Sequence, residues 1–247
     1  MKNDDLKSSR KSAIVTGASR GIGEAIAERL AKEGYDLTLV CSETISELKK
    51  VSKRLEKEYG IRCTPIRADV SDSKAAAQVF EADPEPDILI NNAGISYIGL
   101  LQDMTDEEWR RVIDVNLTGA FYMCRNAISP MLRRGSGSII NISSVWGEKG
   151  ASMEVAYSAS KGGLNAFTKA LARELAPSGI PVNAVSCGVI DTKMNEMFSA
   201  EELDAIREEI PEGRMGRAEE VAELVWRVLQ SPSYMTGQII TLDGGWT

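Results

Sequence analysis

The sequence contains no histidine. That absence removes the Ser-His-Asp triad, the Cys-His pair, histidine-ligated zinc or haem, and any imidazole general base. Proton transfer near neutral pH must then fall to a carboxylate, Lys, Tyr or Cys with a displaced pKa. No apolar run approaches the roughly 18 residues that a membrane span needs. The start of the chain, Met1 to Arg10, is polar and lacks the apolar stretch of a secretory signal, so residues 1–10 are expected to form a flexible tail. Cysteine is scarce: Cys41, Cys63, Cys124 and Cys187 are scattered, with no Cys-x-x-Cys pair. This pattern reads as reduced core thiols in a cytoplasmic protein, and no metal site is expected. Basic charge is in deficit, with 29 Lys and Arg against 36 Asp and Glu and a net charge of -7. Non-specific binding to nucleic acid or to an anionic membrane is therefore not expected.

What is present is a steady alternation of strand-like and helix-like segments over 247 residues, a length that suits one large α/β domain. Ala13 to Val15 is a short apolar run. Ile22, Ile26 and Leu30 then lie on one helical face, and Gly34 stops that helix. Strands are predicted at Asp36 to Cys41, Ile61 to Arg67, Asp87 to Asn91, Ser138 to Ser143, Ile180 to Val185 and Gln238 to Leu242. Helices are predicted at Ile45 to Tyr59, Ser71 to Glu81, Thr105 to Arg134, Val155 to Ala176 and Ala218 to Gln230. Thr105-x-x-Glu108 forms a capping box at the start of the long one. Apolar strands alternating with helices imply a doubly wound parallel sheet of seven strands, covered on both faces. With no repeat or linker, residues 1–247 read as a single domain. The least regular stretch, 191–216, is the expected substrate lid.

Between the first strand and the first helix stands Thr16-Gly17-Ala18-Ser19-Arg20-Gly21-Ile22-Gly23. A dinucleotide pyrophosphate needs such glycines, which let the chain turn tightly and the backbone approach. The helix N-terminus adds free N–H groups and partial positive charge. Gly17-x-Ser19-x-Gly21 also matches the hydrolase nucleophile elbow. That chemistry needs a histidine to take the serine proton, so the elbow reading fails. The second strand ends Val40-Cys41-Ser42, without the acid that usually binds an NAD ribose, and Arg20 lies on the neighbouring loop. NADP is therefore expected over NAD, with Glu43 the nearest opposing charge.

Tyr157 and Lys161 are spaced to share one face of a predicted helix. Together with Thr16-Gly17-x-x-x-Gly21-x-Gly23, Asp69, Asn91-Asn92-Ala93-Gly94, Asn116 and Ser144, they make the chain resemble the short-chain dehydrogenase/reductase family from about Ser12 to Trp246. Within it the sequence is most similar to bacterial 3-oxoacyl-[acyl-carrier-protein] reductases of fatty-acid synthesis. The stretch Ser233 to Gln238 and the ending Leu242-Asp243-Gly244-Gly245 carry that narrower likeness.

The resemblance implies a Rossmann fold and NADP(H)-dependent hydride transfer to a ketone. Tyr157 would exchange the proton. A free tyrosine titrates near pH ~10, and a Lys161 ammonium beside it would lower that value. Ser144 would hold the substrate oxygen; of it and Ser143, strand alternation lets one face the cleft. Lys161 would also bind the nicotinamide ribose, and Asn116 would hold a water for proton resupply. Gly17, Ser19, Arg20, Gly21, Ile22, Gly23, Ser42, Asp69, Val70, Asn91, Ala93, Gly94, Gly188, Ile190 and Thr192 are the remaining coenzyme contacts. Trp146, Cys187 and Met194 are expected at the substrate pocket, with Met197 and Phe198 beside Met194. The resemblance also implies a homotetramer built on the Thr105–Arg134 and Val155–Ala176 segments.

Two departures bear on substrate. Cys187-Gly188 stands where the family usually has Pro-Gly, leaving Cys187 either a reactive thiol or a packing residue. Ser178 stands where carrier-protein reductases place a basic docking residue, leaving Arg133 and Arg134 as the local alternative for acyl carrier protein. Val145-Trp146-Gly147, Gly150-Ala151-Ser152 and Cys187 to Thr192 resemble a Firmicutes subgroup that reduces a 5-aminopentanone modification on elongation factor P. A nucleotide-sensing protein without turnover is the reading from a different class. The intact Ser144, Tyr157 and Lys161 speak against it.

Overall fold

Adjacent residues of a strand point to opposite faces, and here both faces are apolar. In the first strand Ala13 and Val15 enter one buried cluster while Ile14 enters the other. Helices must then cover the sheet on both sides. The computed structural model describes residues 11–193 and 199–247. The expected tail 1–10 lies outside them, as do Met194, Met197 and Phe198 of the expected lid.

The strands are β1 (Ser12–Thr16), β2 (Asp36–Cys41), β3 (Cys63–Arg67), β4 (Ile88–Asn91), β5 (Ser138–Ser144), β6 (Val182–Cys187) and β7 (Ile239–Leu242). They form one sheet in the order β3-β2-β1-β4-β5-β6-β7, and every neighbouring pair is parallel. This is the expected seven-stranded architecture. Strand order reverses between β1 and β4, which opens a crevice at their carboxyl ends.

The helices are α1 (Gly21–Lys32), α2 (Ile45–Tyr59), α3 (Ser73–Ala82), α4 (Asp106–Ile113), α5 (Gly119–Arg134), α6 (Trp146–Lys149), α7 (Val155–Leu175), α8 (Ala200–Glu209) and α9 (Ala218–Leu229). Leu48, Val51 and Leu55 form the buried stripe of α2, which closes on Gly60 at φ 65°. Ile26 and Leu30 of α1 and Val221 and Val225 of α9 fill the same face of the sheet. Val79 of α3, Met123 and Met131 of α5, and Leu171 and Leu175 of α7 fill the other. Each such side chain contributes about 1.5–3 kcal/mol when fully buried.

Four local differences from the sequence expectations have physical causes. The long helix is interrupted by a π-helical turn, Asp114–Thr118. Helix α3 begins at Ser73 because the Asp72 carboxylate caps it, accepting from Lys74 N at 2.8 Å. Strand β6 runs to Cys187, since its pairing with β5 continues to the Ser144–Cys187 pair. The irregular 191–216 stretch contains α8, opened by a Ser199–Glu202 capping box.

The amino ends of the strands are tied by charge. Asp36 accepts from Arg62 N and Nε, both at 2.8 Å, and Asp87 accepts from Ser12 N at 2.8 Å. Arg134 pairs with Asp87 at 3.6 Å and donates to the carbonyls of Glu85 and Pro86, while Arg133 pairs with Glu85 at 3.6 Å. The basic pair considered for carrier docking thus sits on the amino rim of its own sheet with its charges already engaged.

Candidate active site

The glycine loop is shaped by close approach. Gly17 and Gly21 take φ of 65° and 58°, in the left-handed region that favours glycine. A Cβ on Gly23 would fall 2.2 Å from the Gly17 carbonyl oxygen. Asn92 locks this turn, its Nδ2 donating to Thr16 O at 2.9 Å and to Gly17 O at 3.1 Å. Thr16 Oγ1 reciprocates by accepting from the N–H groups of Asn92 and Ala93, both at 3.0 Å. The β1 and β4 exits therefore form one rigid unit across the switch point. Asn92 was not among the expected coenzyme residues; its place in the Asn91-Asn92-Ala93-Gly94 motif was the signal.

The expected catalytic side chains gather at the carboxyl ends of β4, β5 and β6. Ser144 is buried, its hydroxyl bonded to the Tyr157 phenol, and its Oγ accepts from Trp146 N at 3.2 Å. Ser143 Oγ has no hydrogen-bond partner among the described residues, whereas Ser144 reaches the phenol, so Ser144 is the serine on the tyrosine side. Lys161 Nζ lies 5.6 Å from the Tyr157 ring centroid and donates to Ile142 O at 2.8 Å. Helix α6 rests on this lysine through Gly147, where a Cβ would meet the Lys161 carbonyl carbon at 2.7 Å.

Asn116 lies in the π turn and is buried. Its Oδ1 accepts from Ile95 N at 2.8 Å, and its Nδ2 donates to Ile95 O and Ser160 Oγ, both at 2.9 Å. Ser160 Oγ in turn donates to Tyr157 O at 2.7 Å. The chain of contacts ties the β4 exit to the helix that carries Tyr157 and Lys161. A Cβ on Gly94 would lie 3.4 Å from both Asn116 Oδ1 and Lys161 Nζ.

Burial sets the electrostatics. It pushes the Tyr157 phenol above its ordinary range; the Ser144 bond opposes this, while Cys187 and Glu154 add to it. The net direction for Tyr157 is upward, and the influence that opposes burial is the Ser144 bond rather than the expected Lys161 charge. The same exclusion brings Lys161 down to about 8. Cys187 is buried and pushed up to about 12 by burial, although Lys161 opposes this. A thiol at that value is protonated at neutral pH and behaves as a packing residue.

The other expected contacts divide into two groups. Thr192 faces the glycine loop, since a Cβ on Gly21 would meet its Cγ2 at 3.3 Å. Ser19 Oγ accepts from Thr44 Oγ1 at 2.7 Å, and Ser42 and Arg20 are exposed beside it. Asp69 turns its carboxylate to Ser71 and to Arg111 Nη1, the latter at 2.8 Å. Val70 packs where a Gly119 Cβ would touch it at 2.8 Å. In contrast, the Asn91 amide points inward, to Asn141 Oδ1 at 2.9 Å. Ile22 leans on the core and Ile190 is buried in it. Gly188 is needed by the C-terminal segment, because a Cβ there would meet Asp243 Cα at 2.8 Å. That segment brings Trp246 against Trp146, ring centroids 4.8 Å apart. The crowded glycines, the helix N-terminus and the opposing Thr192 make a cradle that fits a dinucleotide.

The short chain dehydrogenase family model matches residues 11–203. A 3-oxoacyl-[acyl-carrier-protein] reductase FabG of Aquifex aeolicus is 40% identical over 247 residues, covering 98% of this chain and 99% of its own. An uncharacterized oxidoreductase YmfI of Bacillus subtilis is 39% identical over 238 residues, covering 96% of this chain and 98% of its own. The crystal structure of a 3-oxoacyl-[acyl-carrier protein] reductase from Brucella melitensis superposes with a TM-score of 0.90 at 33% identity, covering 96% of this chain and 91% of that one.

Proposed function

The chain belongs to the short-chain dehydrogenase family of nicotinamide-dependent oxidoreductases, and on that premise we propose that it is an NADPH-dependent ketone reductase, most like a 3-oxoacyl-[acyl-carrier-protein] reductase. The observation that carries this is the Ser144–Tyr157 hydrogen bond with Lys161 Nζ 5.6 Å from the tyrosine ring. When bound, NADPH supplies the hydride. Ser144 holds the substrate oxygen, and Tyr157 donates the phenolic proton to it. Tyr157 is protonated at neutral pH and so enters each reduction carrying the proton it gives up. Lys161 carries positive charge beside the phenolate that forms. Asn116 fixes the π turn, positions the neighbouring lysine and supports proton resupply.

Gly17, Gly21, Gly23, Ala93, Gly94 and Thr192 would enclose the coenzyme, with Arg20 and Ser42 toward its adenosine end and Asp69 and Val70 toward the adenine. Trp146 and Cys187 would border the substrate. The whole chain acts as one domain and assembles as a homotetramer in the cytoplasm. The exposed Trp109 of α4 and Phe121 of α5 support a subunit interface there.

A second reading is reduction of a 5-aminopentanone group on elongation factor P. The engagement of Arg133 and Arg134 with Glu85 and Asp87 favours it, because it leaves less free basic charge for an acidic carrier. Comparing 3-oxoacyl thioesters with modified elongation factor P as oxidants of NADPH separates the two. Tyr157→Phe tests the mechanism. Turnover should fall about 10²–10⁴-fold with NADPH binding retained. Undiminished turnover would overturn the role of Tyr157. Tight NADPH binding by a wild type that reduces no carbonyl compound would favour a sensor.

A further inference from the structure

Strand β2 lies between β1 and β3 in the sheet, so the chain exits of β1 and β3 flank the exit of β2. Ser42 follows β2 at the place where an acid would select NAD. Arg20 approaches from the β1 side, and the Ser19–Thr44 bond at 2.7 Å ties its loop to the turn after Ser42. From the β3 side comes Arg67, the residue paired with Cys41 across the ladder. Its Nε donates to Ser42 O at 3.0 Å. That bond fixes one edge of the guanidinium against the turn and leaves its terminal nitrogens for another acceptor.

Among the described residues, no carboxylate pairs with Arg67. Arg29, Arg54, Arg62, Arg110, Arg111, Arg133, Arg134, Arg207, Arg214, Arg217 and Arg227 reach a carboxylate. Arg20, Arg67, Arg125 and Arg173 form no ion pair with a described residue; of these four, Arg20 and Arg67 are the two beside the β2 exit, although Glu43 is adjacent to Ser42. Arg67 bonded to this turn and Arg20 exposed on the loop tied to it put two like charges at one rim of the crevice, which favours an anion there. A guanidinium edge matches a phosphate in geometry as well as charge.

We propose that Arg67 is a coenzyme-specificity residue whose guanidinium, opposite Arg20, seats the 2′-phosphate of NADP(H). This rests on the NADPH reading above and adds a residue from a third strand to it. Arg67 carries no coenzyme signal in the sequence, because only the parallel pairing of β3 with β2 brings it to the Ser42 turn.

The test is equilibrium binding, followed by the fluorescence of the reduced nicotinamide, with 2′,5′-ADP and 5′-AMP as calorimetric probes. Arg67→Gln should weaken NADPH and 2′,5′-ADP about tenfold and leave NADH and 5′-AMP within about twofold. Arg67→Lys keeps the charge and should recover part of the loss. The unchanged NADH affinity also reports that the variant pocket is folded. Equal weakening of both coenzymes would make Arg67 a mere support for the Ser42 turn and overturn the proposal. Unchanged NADPH affinity would overturn it too, while a wild-type preference for NADPH would leave the NADPH reading standing. A wild type that binds NADH more tightly than NADPH would overturn both.

Discussion

Ser96 Oγ donates a 2.6 Å hydrogen bond to Glu154 Oε2, joining the loop after β4 to the residue that opens α7. The glutamate stands one helical turn ahead of Tyr157, and its negative charge is one of the influences that hold the phenol up. Lys161 and Cys187 are the other titratable groups coupled to that corner of the site.

Glu154→Gln keeps a hydrogen-bond acceptor for Ser96 and removes the charge. Stabilising the phenolate lowers the Tyr157 pKa, so the alkaline rise of alcohol oxidation should start at lower pH. The pH profile of kcat/KM with an alcohol substrate checks this. An unmoved midpoint would separate Glu154 from the titration of Tyr157.

Lys161→Met should abolish turnover and change the stability–pH curve in a defined way. The lysine is brought from 10.5 down to about 8 in the fold. Between those values the unfolded chain binds more protons than the native one, so this lysine's contribution to stability grows as pH rises and is lost as pH falls through about 8. The methionine variant has no such dependence. Its Tm relative to wild type should therefore be more favourable at pH ~6.5 than at pH ~9, a window below the ionisation of free tyrosine. A gap that stays constant or widens toward alkaline pH refutes the buried-charge account.

Asn92→Ala removes both bonds from Nδ2 to the glycine loop. Each is worth roughly 0.5–1.5 kcal/mol. Because the loop meets the pyrophosphate common to both coenzymes, NADPH and NADH binding should weaken together, by about tenfold. Selective loss of NADPH alone would mean that Asn92 acts at the 2′ end.

Much of this was legible in the sequence where local and global demands agree. The stripe of α2 and its stop at Gly60 specify the same helix that the core requires. The glycine loop was legible because its spacing is dictated by backbone collision, which few other sequences satisfy. The π turn was not, because Ile95 and Ser160, distant in sequence, hold Asn116 in place. Helix α8 could have been found from Ser199-x-x-Glu202, a cap pattern outweighed by the weak apolar periodicity behind it. Of the site, Tyr157 and Lys161 share a helix as their spacing suggested, and Ser144 meets the phenol as the family resemblance implied. The direction of the Tyr157 shift was not legible, since it depends on how completely water is excluded from the phenol. Glu154 and Trp246 were not legible for a related reason: only the folded chain brings Ser96 to one and Trp146 to the other.

The four thiols carry a practical consequence. Cys41, Cys63, Cys124 and Cys187 are all buried, and burial pushes every one of them up, Cys63 to about 11 and Cys124 to about 12. The native protein therefore offers a maleimide reagent no ready target. Tyr234 is 99% exposed and precedes β7, on the rim away from Tyr157. A cysteine placed there by Tyr234→Cys would be the sole addressable sulfur. One fluorophore or one surface tether could then be attached per chain, with the catalytic crevice facing the solution.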